Sequence, residues 1–413
     1  MSDKPSKRSW TALNWLNFFA ADISDGVGPF LAVYLASNLQ WSASHIGMTI
    51  AATQLSMVLF QAPAGFVVDR TRRKRVPIIV ASLVVGSTAL FWPAVRSLPL
   101  ALFFQIVLGI AASFYIPTLV SLAAAMSGKG EFDRTISKNQ SYNHAGNVAS
   151  AILTGVVARF TNNAGIFYCM MGFALFCTGS ALCIKPEDAI AAQPSKEEEA
   201  EKKKGQLKEV MSNKAFLMFL LLTGVFYLSN GAMLPLVAQE IARADAKNST
   251  MYLAACIIIA QAVMVPTVWA CGKLAGKGRK KLLAVAFVLL AIRGVAYMVT
   301  DSIPYFLFLQ VLDGMAAGTY SVVAIMVVND LMGESDLASF AQGLLVAALS
   351  LGSMLSNLLG GFVVDFAGFP TGFLVLSAMA LASLVLLWKG MPETAKAHDD
   401  KAKTAPPLQD FTR

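Results

Sequence analysis

Gly65-Phe66-Val67-Val68-Asp69-Arg70-Thr71-Arg72-Arg73-Lys74 carries an apolar run straight into a burst of positive charge, with one carboxylate at the join. Further on, Gly272-Lys273-Leu274-Ala275-Gly276-Lys277-Gly278-Arg279-Lys280-Lys281 repeats the layout, with Gly276 where the first copy has Asp69. Two other pairs keep the same order. Phe104-Gln105 to Leu108-Gly109 matches Leu309-Gln310 to Asp313-Gly314, and Gly146 and Gly155 match Gly352 and Gly361. The offsets lie within 205–207 residues. Three matches in one order at one spacing indicate an internal duplication.

What is duplicated follows from hydropathy. The chain has 413 residues, is 56% hydrophobic and only 14% charged, and its mean hydropathy is +0.60. A soluble domain carries about a quarter charged residues, so disordered proteins, coiled coils and most soluble enzymes are excluded. Apolar runs occupy 12–36, 43–67, 76–95, 99–126, 140–160, 164–184, 215–240, 250–272, 281–300, 304–331, 338–365 and 371–389, numbered here as spans 1 to 12. A membrane-crossing helix needs about 20 apolar residues. In hydrocarbon each backbone group must be paired within its own segment, so these runs are helices. Six spans per copy return the chain to its starting side, which makes the two halves parallel repeats. The expected architecture is an all-α integral membrane protein of twelve transmembrane helices.

The basic residues orient it. With the N-terminus in the cytoplasm, only Arg96, Arg159, Arg243 and Lys247 of the 33 Lys and Arg fall outside, and Arg293 lies within a span. That satisfies the positive-inside rule, in the cell membrane, with both termini cytoplasmic. The net charge of +8 therefore reflects short loop clusters facing a lipid bilayer and not a nucleic-acid surface. The organisation reads as a cytoplasmic segment 1–11, a six-helix bundle 12–184, a mixed-charge cytoplasmic linker 185–214, a second bundle 215–391 and a tail 392–413. Five cysteines without a CxxC pair suggest no metal or redox role.

The sequence resembles the major facilitator superfamily over about residues 10–392. The resemblance rests on the twelve spans, the central charged linker and the loop motif carried by Gly65, Asp69, Arg70, Arg73 and Lys74. It implies a secondary transporter in which spans 1, 4, 7 and 10 line a central cavity. It also implies that Asp69 faces the start of span 11, near Ser335-Asp336-Leu337, where a helix N-terminus offers free N–H groups and partial positive charge. Gly65 would permit close helix approach there. Span 5 departs from the superfamily's drug/proton antiporters, which have a Gly-Pro-rich pattern where this chain reads Ser141-Tyr142-Asn143-His144-Ala145-Gly146-Asn147.

Ionisable groups inside spans are the candidate machinery, since each costs roughly 2.5–3.5 kcal/mol or more in lipid. Asp22 and Asp25 stand at i and i+3 in span 1, about 60° apart. Two carboxylates that close do not both ionise easily in a low dielectric. Arg293 in span 9 and Asp313 in span 10 lie at similar depth and can pair, either as a structural bond or as a switch opened by a proton. Gln310, Asp313 and Tyr320 fall on one side of span 10. In span 5, Asn143, Asn147, Ser150 and Thr154 form a polar stripe that lines a pathway or ties helices together. His144 is a proton relay or an interhelical contact. Ser350, Ser353 and Asn357 repeat the pattern in span 11. Tyr227 and Asn230 share a face of span 7, as Gln54 and Gln61 do in span 2.

No nucleotide-binding GxxxxGK[ST], HExxH or GxSxG motif is present. The chain thus reads as no enzyme, with no cofactor. The expected function is alternating-access movement of a small organic solute coupled to protons by a monomer, leaning to efflux, with uptake of a metabolite as the alternative. A non-transporting sensor built on the same fold is the alternative from another class.

Overall fold

The computed structural model describes residues 5–21, 27–127, 131–161, 163–190, 205, 208–274, 278–332 and 336–395, with backbone only for residues 27, 133 and 336–340. The described chain is helical almost throughout. Among the described residues, eight helices are long and apolar enough to cross a membrane. One of these, within Asp336–Gly390, contains two spans, because Gly368 (φ 83°) turns the chain between them. Span 1 is divided into Lys7–Ala21 and Val27–Ser37, span 5 (Phe132–Phe160) is too polar to qualify by hydropathy, and span 9 (Arg279–Ala296) begins with three cations. Together these make the twelve helices of two parallel six-helix repeats.

The duplication is visible in packing. A Cβ on Gly109 of span 4 would meet Thr53 O of span 2 at 2.5 Å, and one on Gly314 of span 10 would meet Ala260 O of span 8 at 2.4 Å. Likewise Gly146 of span 5 lies against Phe18 O of span 1, and Gly352 of span 11 lies against Gly224 O of span 7. Small residues allow this backbone approach where apolar side chains gain nothing by leaving lipid. Large side chains such as Leu59, Phe103, Phe160, Trp269 and Phe366 point outward and are exposed.

We call the face with residue 5 and the 71–75 loop the near face and the opposite one the far face. Far-face connections are short: 38–42, 161–164, 245–248 and Gly368. The near face ties each half to itself. Asp188, after span 6, accepts hydrogen bonds from Ser9 Oγ (2.6 Å), Ser6 N (3.0 Å) and Ser6 Oγ (3.0 Å). In the second half Glu393 accepts Arg279 N at 2.7 Å at the start of span 9, and Arg279 pairs with Asp330 at 3.0 Å.

The core is unevenly joined. Phe30, Leu31, Ile46, Trp92, Ala151 and Phe167, from the far half of the first bundle, share one buried cluster with the second bundle. Leu13, Leu16, Ile78, Val85, Leu122 and Ile184, from its near half, form another. The two halves are thus welded at the far face. There Val27–Ser37 packs on Met233–Ala244, and span 2 packs on span 11.

Candidate functional site

Span 7 makes the site possible by breaking. Its helices Lys214–Asn230 and Met233–Ala244 meet at Gly231-Ala232, where Gly231 N–H donates to Tyr227 O and Ala232 N–H to Ser356 Oγ at 2.8 Å. A Cβ on Gly231 would lie 2.7 Å from Ser353 Cα, so only glycine lets span 11 press on the bend. The bend turns Tyr227 and Asn230 toward a central cavity of about 250 Å³. Pro29 and Leu31 of span 1, Gln54 and Met57 of span 2, Gln105 of span 4, Arg293, Asp313 and Asn357 complete its wall. Thr53 donates to Gln105 Oε1, fixing that amide.

Arg293 is the buried charge of this wall, 2% exposed. Its Nη1 pairs with Asp313 Oδ1, while Nη2 donates to Asn230 Oδ1 and approaches Met233 Sδ at 3.0 Å. Its Nε is buried and has no hydrogen-bond partner among the described residues. Asp313 keeps 18% of its side chain exposed, at the cavity. Leaving either ion unpaired at such depth costs several kcal/mol. The pair is therefore the natural resting arrangement, and Asp313 is its solvent-reachable end.

Several expected residues lie elsewhere. Gln310 and Tyr320 do not line the cavity as placed with Asp313. On a helix Gln310 falls about 60° away from Asp313, while Tyr320 stays within about 20° of its side but lies about 10 Å further along the axis; both reach partners inside the second bundle. Gln310 Nε2 donates to Tyr297 OH (3.0 Å), and Tyr297 lies beside Arg293. Tyr320 OH donates to Thr223 Oγ1 (2.7 Å) and its ring stacks on Phe226. Asn143 and Asn147 are half-buried and outside the cavity wall, since Gly146 turns its side of span 5 onto span 1. His144 is exposed in a separate, almost wholly apolar groove with Ala145, Val148, Ile258, Gln261 and Val265, between spans 5 and 8. Asp22 and Asp25 lie outside the described residues.

The loop motif is assembled around the end of span 2. Lys74 is buried and its Nζ donates to Val68 O (2.8 Å) and Asp69 O (2.9 Å), capping the helix C-terminus. Arg70 covers the Phe66 ring at 3.5 Å. Arg73 forms an isolated antiparallel bridge with Ile190. The partner expected for Asp69, around residues 335–337, lies outside the described side chains. Among the described residues Gly65 does not make the close approach expected of it: none of their atoms lies within 4 Å of the position its Cβ would take. The close backbone approach of spans 2 and 11 lies toward the far face. There a Cβ on Gly47 would lie 2.2 Å from Asn357 O.

Sequence reasoning missed Asn163 (φ 63°), in the turn before span 6. Its Nδ2 donates to Ser37 Oγ (2.9 Å) and Ala246 O (3.1 Å), and its Oδ1 accepts from Thr250 Oγ1. The signal for it was an Asn-Asn-Ala-Gly turn at the repeat position of Gly368. Gln105 was missed although it matches Gln310 in the duplication.

A polar cavity between two parallel six-helix halves, shut at one face, defines a membrane transport protein. The family model described as Major Facilitator Superfamily matches residues 12–298 and 267–412, and the chain belongs to that superfamily. It is 32% identical over 402 residues to an uncharacterised MFS-type transporter of Mycobacterium tuberculosis, covering 96% of each chain. It is 30% identical over 125 residues, 30% of each chain, to the chloramphenicol resistance protein CraA of Acinetobacter baumannii. Among solved structures, a bacterial homologue of the human lysosomal transporter Spinster, inward-facing and unoccupied, superposes with TM-score 0.72 at 13% identity over 96% of each chain. That last likeness concerns the fold alone.

Proposed function

We propose that the protein is a proton-coupled secondary transporter that moves a small organic solute across the cell membrane by alternating access, in the direction of efflux, with the near face cytoplasmic. The observation that carries this is the Arg293–Asp313 pair, whose carboxylate is exposed to the cavity while the guanidinium is buried. Protonation of Asp313 removes its charge and frees Arg293 to hold a solute group or to rest on its existing bond to Asn230 alone. Either change alters how the second bundle faces the first. The weld at the far face and the apolar groove at spans 5 and 8 fit a resting state that loads from the near face. The family's occupation with small solutes and the drug-resistance name of one partial relative support efflux.

The test is transport by purified protein in vesicles with an imposed pH gradient, using chloramphenicol as the first probe. Asp313→Asn abolishes pH-dependent movement, and Asp313→Glu retains part of it. Unchanged pH dependence in Asp313→Asn would remove Asp313 from the mechanism.

A further inference from the structure

The pentapeptide that ends span 2, Gly65-Phe66-Val67-Val68-Asp69, recurs residue for residue near the end of span 11 as Gly361-Phe362-Val363-Val364-Asp365. Spans 2 and 11 pack on each other and run in opposite directions, so the two copies sit at opposite faces. The span 11 copy is engaged. Asp365 Oδ1 accepts the N–H of Ala43 (2.8 Å) and Oδ2 that of Ser44 (3.0 Å). Ser42 Oγ accepts the next N–H, of His45, at 3.4 Å. The free amides of the first turn of span 2 are thus satisfied partly by the other half of the molecule, and the carboxylate meets the positive end of a helix dipole.

The glycine of the pentapeptide is what permits this. A Cβ on Gly361 would lie 2.5 Å from Ala43 O, whereas Gly65 in the other copy faces open space. One pentapeptide is clamped onto its neighbour at the glycine; among the described residues the other makes no such approach at its glycine. The seam between spans 5 and 8 has no carboxylate to match. Arg159 stands at the repeat position of Asp365, and Asn163 makes the crossing bonds instead.

We propose that Asp365 is the far-face latch of the transport cycle: its cap on the N-terminus of span 2 holds the far face shut and must break for that face to open. This rests on the alternating-access reading above, but its test needs neither solute nor proton gradient. A reporter, Ile50→Cys on the cavity wall, is placed in a Cys183→Ser background in membrane vesicles, and a membrane-impermeant thiol reagent is added to the far side only. With Asp365→Asn, which removes the charge and one of the two acceptor oxygens, the labelling rate rises about fivefold, the factor expected for loss of a negative charge at a helix N-terminus. Asp365→Glu, which keeps the charge, stays near the parent rate. An unchanged rate in Asp365→Asn overturns the proposal. So does an equal rise in Asp365→Asn and Asp365→Glu accompanied by equal loss of melting temperature, since that reports damage to the fold. Faster labelling in a protein that shows no pH-dependent flux would keep the latch and discard proton coupling.

Discussion

Asn163 Oδ1 accepts a hydrogen bond from Thr250 Oγ1 at 2.7 Å across the seam between the two halves. The residue is buried and left-handed, a conformation Asn tolerates better than most. Both properties are testable. Asn163→Gly keeps the backbone but strands the Thr250 hydroxyl, while the Ala246 carbonyl still accepts from Ser249 Oγ, at a cost of about 1–3 kcal/mol. Asn163→Ala adds left-handed strain of about 1–2 kcal/mol. Thermal unfolding in detergent should rank them parent, then Gly, then Ala.

The Arg293–Asp313 pair should behave as a unit. Asp313→Asn leaves a buried guanidinium without its counter-ion, and removing one partner of such a pair costs up to about 3–5 kcal/mol. Because Asp313 borders a wet cavity, the lower end is expected. Arg293→Met alone leaves a carboxylate that water can reach and destabilises less. The double variant should melt above Asp313→Asn, and a double-mutant cycle in melting free energy measures the coupling.

Two glycine contacts separate the stability of the fold from the stability of one state. Gly109→Ala pushes span 4 against Thr53 within one half and should lower melting in every state. Gly47→Ala wedges apart spans 2 and 11 only where the far face is shut. It should raise far-side thiol labelling with a smaller loss of melting temperature. Equal effects of the two substitutions on labelling would refute this division.

The near-face strap at Asp188 should be acid-sensitive. Burial raises its pKa, but hydrogen bonds from Ser9 and Ser6 and the nearby Lys185 charge outweigh that and leave it lowered. A carboxyl with a lowered folded pKa contributes stability above the ordinary carboxylate range and loses it as pH falls through the folded value. The strap therefore holds at neutral pH and releases below about pH 4. Emission of Trp10, which packs against the buried near-half cluster of the first bundle, should shift on acidification in the parent. In Asp188→Asn it should already be shifted at pH 7.

The fold was legible because membrane helices announce themselves by length and hydropathy, and because Gly109, Gly146, Gly314 and Gly352 fall at repeat spacing and pack alike. The Arg293–Asp313 contact was legible too, since adjacent spans joined by a short turn place groups of equal depth within reach. The partners of Gln310 and Tyr320 were not. Polarity on a helix marks a side chain that needs a partner, and a partner inside the bundle, such as Tyr297 or Thr223, serves as well as a wet cavity. Asp365 escaped notice because a carboxylate at the end of a span looks like an ordinary solvated rim residue. Only the fold brings it to the first amides of Ala43 and Ser44.

The brevity of the far-face turns has a practical outcome. With stretches such as 38–42 and 245–248 making up so little chain beyond the bilayer there, an antibody fragment or protease finds scarcely any foothold on that surface. With the near face cytoplasmic, as proposed, reagents meant to report on the molecule in intact cells will have to be small enough to slip between helices.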